Sequence, residues 1–293
     1  MSTTRNIVLA LLLLGVLAGS AAAADPAIET PTVLATGIPG PEGIAATRQG
    51  DLVVGTTPGD LIRLSEDGSQ TPVVSLGEGL AGITVLKDGR IVACAFGADR
   101  VWVVDGAGTA SVLASGMDGP NFAVQEKRLG RIFVSASFAG TIVDVTDGAP
   151  VVRASGLSFP NGLAVGKEAG QRYLYVAELA LSRVSRIFLN SDGSLGASEV
   201  YATGLPLVDG IAFDRRGNLL TVGGGALSVV HAGTRAVQVL ANAAPLEFPS
   251  NLTFGRRRAG RRTLFLVNYG FPLGSGTDVL AVPYSIRGAK TVQ

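Results

Sequence analysis

Pro41-Glu42-Gly43-Ile44-Ala45, reached through Leu34-Ala35-Thr36-Gly37, decides how this chain is read. The same phrase returns as Arg153-Ala154-Ser155-Gly156 leading to Pro160-Asn161-Gly162-Leu163-Ala164. It returns again as Tyr201-Ala202-Thr203-Gly204 leading to Val208-Asp209-Gly210-Ile211-Ala212, and in weaker form elsewhere, six copies in all. The Gly anchors Gly37, Gly77, Gly116, Gly156 and Gly204 lie 40, 39, 40 and 48 residues apart. Periods near 40 built from short strands mark a β-propeller with one four-stranded blade per repeat. Helical repeats share the period, but β-branched residues alternate here, and forty glycines would weaken helices. Hairpin pairs such as Asp67-Gly68, Asp105-Gly106, Asp147-Gly148 and Asp192-Gly193 supply the positive φ that tight turns need.

The phase of the repeat predicts how the ring closes. Residues 32–36 resemble the outermost strands read at 111–115, 151–155, 199–203 and 236–241. Residues 277–285 read as a third strand with no fourth after it. The N-terminal strand is therefore expected to complete the last of six blades and remove two exposed sheet edges.

Ahead of the repeats, Arg5, an apolar run over residues 7–18 and Ala22-Ala23-Ala24 read as a secretory signal peptide over residues 1–24, cut after Ala24. The run is short for a membrane span. The expectation is a secreted or periplasmic protein, with residues 25–293 forming the propeller and no membrane attachment once the signal is removed. The formal net charge is +1, and no basic face marks a nucleic-acid partner. Arg256-Arg257-Arg258 with Arg261-Arg262 reads as a solvated loop between strands. The single Cys94 reads as a small buried hydrophobe, and a single His231 excludes a His-rich zinc site.

The residue after the Pro, or after Val208, carries the chemistry. Its occupants are Glu42, Ala81, Asn121, Asn161, Asp209 and then Ser250 or Asn251, where the register is ambiguous. The loop entering an innermost strand opens on the central channel, so these positions should converge on one axis. Two carboxylates and several amide oxygens suit Ca²⁺, a hard cation taking six to eight oxygen ligands. The absence of imidazole or thiolate argues against zinc or copper. Without a cation, two carboxylates in a narrow channel would repel each other.

At these residues the chain resembles the senescence-marker-protein/gluconolactonase family, the regucalcin-like six-bladed propellers. The Pro-Asn-Gly copy at 160–162 and Asp209-Gly210-Ile211-Ala212 carry the likeness most specifically. Pro41-Glu42-Gly43-Ile44 also resembles strictosidine-synthase-like propellers. The resemblance implies a metal triad of Glu42, Asn161 and Asp209, with Asn121 touching metal or substrate and Asp209 doubling as the base that activates water. It implies a Ca²⁺-dependent hydrolase of lactones or related esters acting on a small molecule. The alternative is a non-catalytic ligand- or protein-binding propeller with structural Ca²⁺; a condensing enzyme would need a catalytic carboxylate, for which Glu247 is the candidate. The third repeat departs from the family pattern: Pro120-Asn121-Phe122 replaces Pro-Asn-Asp, and Gly119 stands where well-known members carry an Arg that holds sugar acids. Sugar-acid recognition is thereby in doubt. Phe122 is expected to bind substrate, and Phe159, Phe248 and Phe271 lie near the same mouth.

Overall fold

The computed structural model describes residues 25–257, 260–270 and 274–288. The expected signal peptide, Phe271 and Arg258 lie outside the described residues. Six four-stranded antiparallel sheets form a ring of six blades. Their innermost strands are Pro41–Ala46, Leu80–Val85, Pro120–Glu126, Pro160–Glu168, Ile211–Phe213 and Pro249–Phe254. The sixth sheet takes its outermost strand from Thr32–Ala35, which pairs with Asp278–Pro283 through Thr32↔Ala281 and Val33↔Leu280. The N-terminal closure read from the sequence is thus observed. No helix among the described residues is long and apolar enough to cross a membrane.

Burial falls from the axis outward. Leu80–Val85 and Pro249–Phe254 are buried at every position, whereas Val151–Ala154 is exposed along most of its length. An innermost strand has a neighbouring blade on each face, and so reads as continuously apolar rather than alternating. Six apolar clusters fill the ring, one at each interface between adjacent blades. The cluster at the seam joins Ala35 and Ile44 to Phe265 and Val279, so closure is sealed by packing as well as by hydrogen bonds. Cys94 lies in the cluster between the second and third blades, where burial pushes its thiol pKa up.

Two local devices put the phrase where it is. The Gly anchors at 37, 77, 116, 156 and 204 all have φ between 69° and 79° with no atom within 4 Å of a virtual Cβ. Backbone conformation, not crowding, selects glycine there. The glycine after the slot is selected by crowding. A Cβ on Gly43 would lie 2.5 Å from the carbonyl oxygen of Ala81 in the next blade, and one on Gly162 would overlap the carbonyl oxygen of Asp209. Adjacent innermost strands touch backbone to backbone at that point, where no side chain fits.

Candidate metal and substrate site

The slot residues leave the hydrogen-bond ladder. Register shifts fall at Pro41/Gly43, Leu80/Ile83, Pro120/Phe122, Pro160/Leu163 and Pro249/Asn251. Glu42, Ala81, Asn121, Asn161 and Ser250 therefore sit on bulges, which re-aim side chains. In the fifth blade the strand begins only at Ile211, and Asp209 is held by its N–H donating to the Val222 carbonyl at 2.8 Å. The bulge resolves the ambiguous copy. Ser250 is the counterpart of Glu42, while Asn251 is paired with Val267 and turns its Oδ1 onto the Leu252 N–H.

Glu42, Asn121, Asn161 and Asp209 meet at the floor of one cavity of about 310 Å³. Asn161 donates a side-chain hydrogen bond to Asp209. Burial, then the neighbouring Glu42 carboxylate, pushes the Asp209 pKa well up. Burial likewise pushes Glu42 to about 7, partly offset by a hydrogen bond from Ser250. The Glu42 Oε2 atom is buried and has no hydrogen-bond partner. Two buried carboxylates with raised pKa values, one with an orphaned oxygen, beside two amide side chains form a donor set that fits a hard divalent cation. Among the described residues no three His, Cys, Asp or Glu side chains cluster as metal ligands, which leaves amide oxygens to complete any such set.

The walls differ in kind from the floor. Phe96, Phe159, Leu179, Leu207, Phe248 and Tyr269 line them. Phe96, Phe138 and Phe159 form a cluster with ring centroids 4.9, 6.4 and 5.6 Å apart. A Cβ on Gly119 would lie 2.7 Å from the Phe138 ring and 3.2 Å from that of Phe96. Aromatic rings thus crowd the ground above the position where the resembling family places its Arg. Two residues before the slot, Gly40 and Gly119 have φ of 53° and 68°, while Phe159 and Phe248 adopt φ of 52° and 56°. A left-handed conformation costs a bulky residue about 1–3 kcal/mol, and such outliers gather where a site needs them.

Phe122 is a correction. It packs with Val124, Phe133 and Leu163 in the interface between the third and fourth blades, its ring fills the space beside Gly82, and it does not line the cavity. The residue after the slot points off the axis, because successive side chains of a strand alternate. Glu247 is exposed and also off the cavity. His231 bonds Gln238 at 2.9 Å, far from the floor residues in the fold. Tyr269 was not read from the sequence. Its phenol is pushed up, first by burial and then by Glu42 and Asp209, and stays a proton donor across the neutral range.

A family model described as strictosidine synthase-like, N-terminal, matches residues 29–64. No curated protein matches the chain in sequence. Solved structures match it over nearly its whole length. A gluconolactonase from Xanthomonas campestris superposes with a TM-score of 0.70 at 23% identity, covering 90% of this chain and 96% of that one. This chain has the gluconolactonase and regucalcin fold. Regucalcin from Agrobacterium tumefaciens, a calcium-binding protein, gives 0.68 at 16% identity over 88% and 97%. A luciferin-regenerating enzyme gives 0.72 at 15% identity over 90% and 99%. At these identities the likeness establishes the architecture, and function has to be argued from the site.

Proposed function

We propose that this chain is a lactonase-type hydrolase that depends on a divalent cation, Ca²⁺ by its oxygen donors, and acts on small apolar lactones or esters. The observation that carries the reading is the orphaned Glu42 Oε2 beside Asp209 at the floor of an aromatic-walled cavity. The gluconolactonase and calcium-binding neighbours support it. Glu42, Asn161 and Asp209 would hold the cation, with Asn121 as a fourth donor or a substrate contact. When bound, the cation would supply Lewis acidity to the acyl oxygen.

The chain's own residues do the rest. Asp209 accepts the proton of the attacking water as the water oxygen bonds to the acyl carbon, and returns it to the departing alkoxide oxygen as the acyl C–O bond breaks. Asn161 keeps Asp209 oriented through its hydrogen bond. Tyr269, protonated and on the cavity wall, donates to substrate oxygen. Phe96, Phe159 and Phe248 bind the apolar part and keep bulk water from the floor. Among the described residues the wall offers no Arg or Lys to a sugar acid, which favours an acyl or aryl substituent. A cavity of about 310 Å³ above the floor favours catalysis over a purely structural cation.

Export follows as part of the proposal: N-terminal sequencing of the protein from its native host should begin at Asp25. The function is tested on a panel of alkyl and aryl lactones, sugar lactones and esters, assayed with Ca²⁺ and after chelation. Turnover of apolar lactones that disappears on chelation and returns with Ca²⁺ supports the proposal. Turnover indifferent to chelation sinks the cation's role, and preference for sugar lactones sinks the substrate class.

A further inference from the structure

The channel has a second mouth, and a second repeat-encoded position lines it. Six residues after each slot stands a cation: Arg48, Lys87, Lys127, Lys167, Arg215 and Arg256. All six blades carry Lys or Arg there, in a chain of formal net charge +1. Each lies at or just beyond the far end of its innermost strand, opposite the metal floor.

The ring of blades sets these six positions around one end of the channel. Lys127, from the third blade, feels the charges of Arg256 from the sixth and Arg48 from the first; burial first, and then those two, pull its ammonium down to about 8. Blades three and six face each other across the ring, so the interaction spans the channel mouth. Arg256 and Lys127 are half-buried, whereas Arg257 is exposed. The solvated-loop reading therefore holds for Arg257 and fails for Arg256, which burial and Arg48 push down.

Among the described residues none of the six makes an ion pair, and the nearby acids are engaged elsewhere. Glu126 pairs with Arg172, Glu168 with Arg186, Asp88 with Arg90 at 2.8 Å, and Glu66 with Arg257 at 3.8 Å. Asp214 accepts from Tyr284 at 3.0 Å and from Asn218 at 2.8 Å. Two buried polar atoms beside the ring lack partners. Arg172, which carries one of them at Nη1, lines a pocket of about 210 Å³ with Lys127 and Lys167, and Thr47, which carries the other at Oγ1, lines a hollow of about 430 Å³ with Arg48, Asp88 and Asp105. A buried guanidinium nitrogen with an unused N–H, flanked by unpaired cations, is half of a charge-assisted contact.

We propose that the far mouth of the channel binds a small, multiply charged oxyanion, gripped by Lys127, Lys167 and Arg172 in the pocket they share, with Arg48 and Arg256 adding positive potential from across the ring. The site is independent of the hydrolase reading, since it shares no residue with the floor. The anion could be free in solution or the headgroup of an anionic lipid; both offer the same oxygens.

The test is calorimetric titration of the full chain, loaded with Ca²⁺, with benzene-1,3,5-trisulfonate and with inorganic sulfate at low salt. Saturable binding of the trisulfonate at one site is expected, with sulfate weaker. The K127Q/K167Q variant should bind about a hundredfold more weakly, about tenfold for each of the two strong charge-assisted hydrogen bonds removed. Without anion, the single K127Q variant should melt at a higher temperature than wild type, because repulsion is relieved; a merely structural lysine would give the opposite shift. Wild type that binds no trisulfonate, a double variant that binds it equally, or a lower K127Q midpoint overturns the proposal. Phosphatidylglycerol vesicles separate the sources. Sedimentation with vesicles that trisulfonate competes away identifies a lipid headgroup, and no sedimentation beside clear titration identifies a free anion. Vesicle or duplex-DNA binding that trisulfonate leaves untouched refutes the site.

Discussion

The two mouths of this channel are built from the same repeat and treat it oppositely. At the oxygen-lined mouth the slot reads Glu, Ala, Asn, Asn, Asp and Ser, so no two adjacent interfaces are alike except through Asn. At the far mouth the position six residues later is Lys or Arg every time. Coordination and proton transfer need different groups at fixed points. A field needs only like charges near one another. On the two proposals made above, symmetry is broken where chemistry is specific and kept where only potential is required.

That contrast orders the expected effects. Asp209→Asn should cost about 10³-fold in kcat for apolar lactones with the fold intact by circular dichroism, because no other slot can replace a general base. Near-wild-type turnover would erase the distinction between the mouths. Phe248→Gly and Phe159→Gly should each raise KM for aryl lactones about tenfold with kcat little changed, since the wall binds and the floor reacts. They should cost less stability than a typical buried Phe truncation, because glycine relaxes the left-handed backbone. Gly162→Ala should lower stability by about 1–3 kcal/mol in chemical denaturation, because the added methyl meets the Asp209 carbonyl. At the far mouth, Lys87→Gln alone should change trisulfonate affinity by about twofold at most, since five like charges remain. A tenfold loss would mean that the ring is as differentiated as the floor.

A pH experiment sharpens the comparison from the floor side. In chelated protein the Glu42 carboxyl titrates near 7 in the fold against 4.5 ordinarily. Between those values the unfolded chain has released a proton that the folded one retains, so unfolding is favoured as pH rises. The melting midpoint of chelated protein should fall as pH climbs through that window. With Ca²⁺ bound the carboxylate stays ionised, and the dependence should flatten. Parallel curves with and without Ca²⁺ would remove Glu42 from the ligand set.

Much of this was legible in the chain because the signals were local and repeated. The Gly anchors need positive φ, the slot-following glycines need to lack a side chain, and both recur at one period. The seam was legible because residues 32–35 look like an outermost strand. Phe122 was misread because it neighbours a slot residue in sequence, yet alternation sends it into the blade interface. Tyr269 carries no motif; it reaches the cavity from the end of Thr263–Asn268, and only folding brings it near Glu42. The far-mouth cations were hidden for the opposite reason. They are regular, but spaced about a blade apart and cancelled in the total charge.

The strand Thr32–Ala35 is among the first parts of the propeller to leave the ribosome, and its partner Asp278–Pro283 is among the last. Until both exist, the first blade has an uncovered flank and the sixth lacks a strand, so intermediates made during synthesis carry open, adhesive edges. Finishing the circle is thus a single late event that every other blade must wait for. A fusion partner crowded against residue 32 would interfere with it more than the same partner attached to a hairpin on the rim.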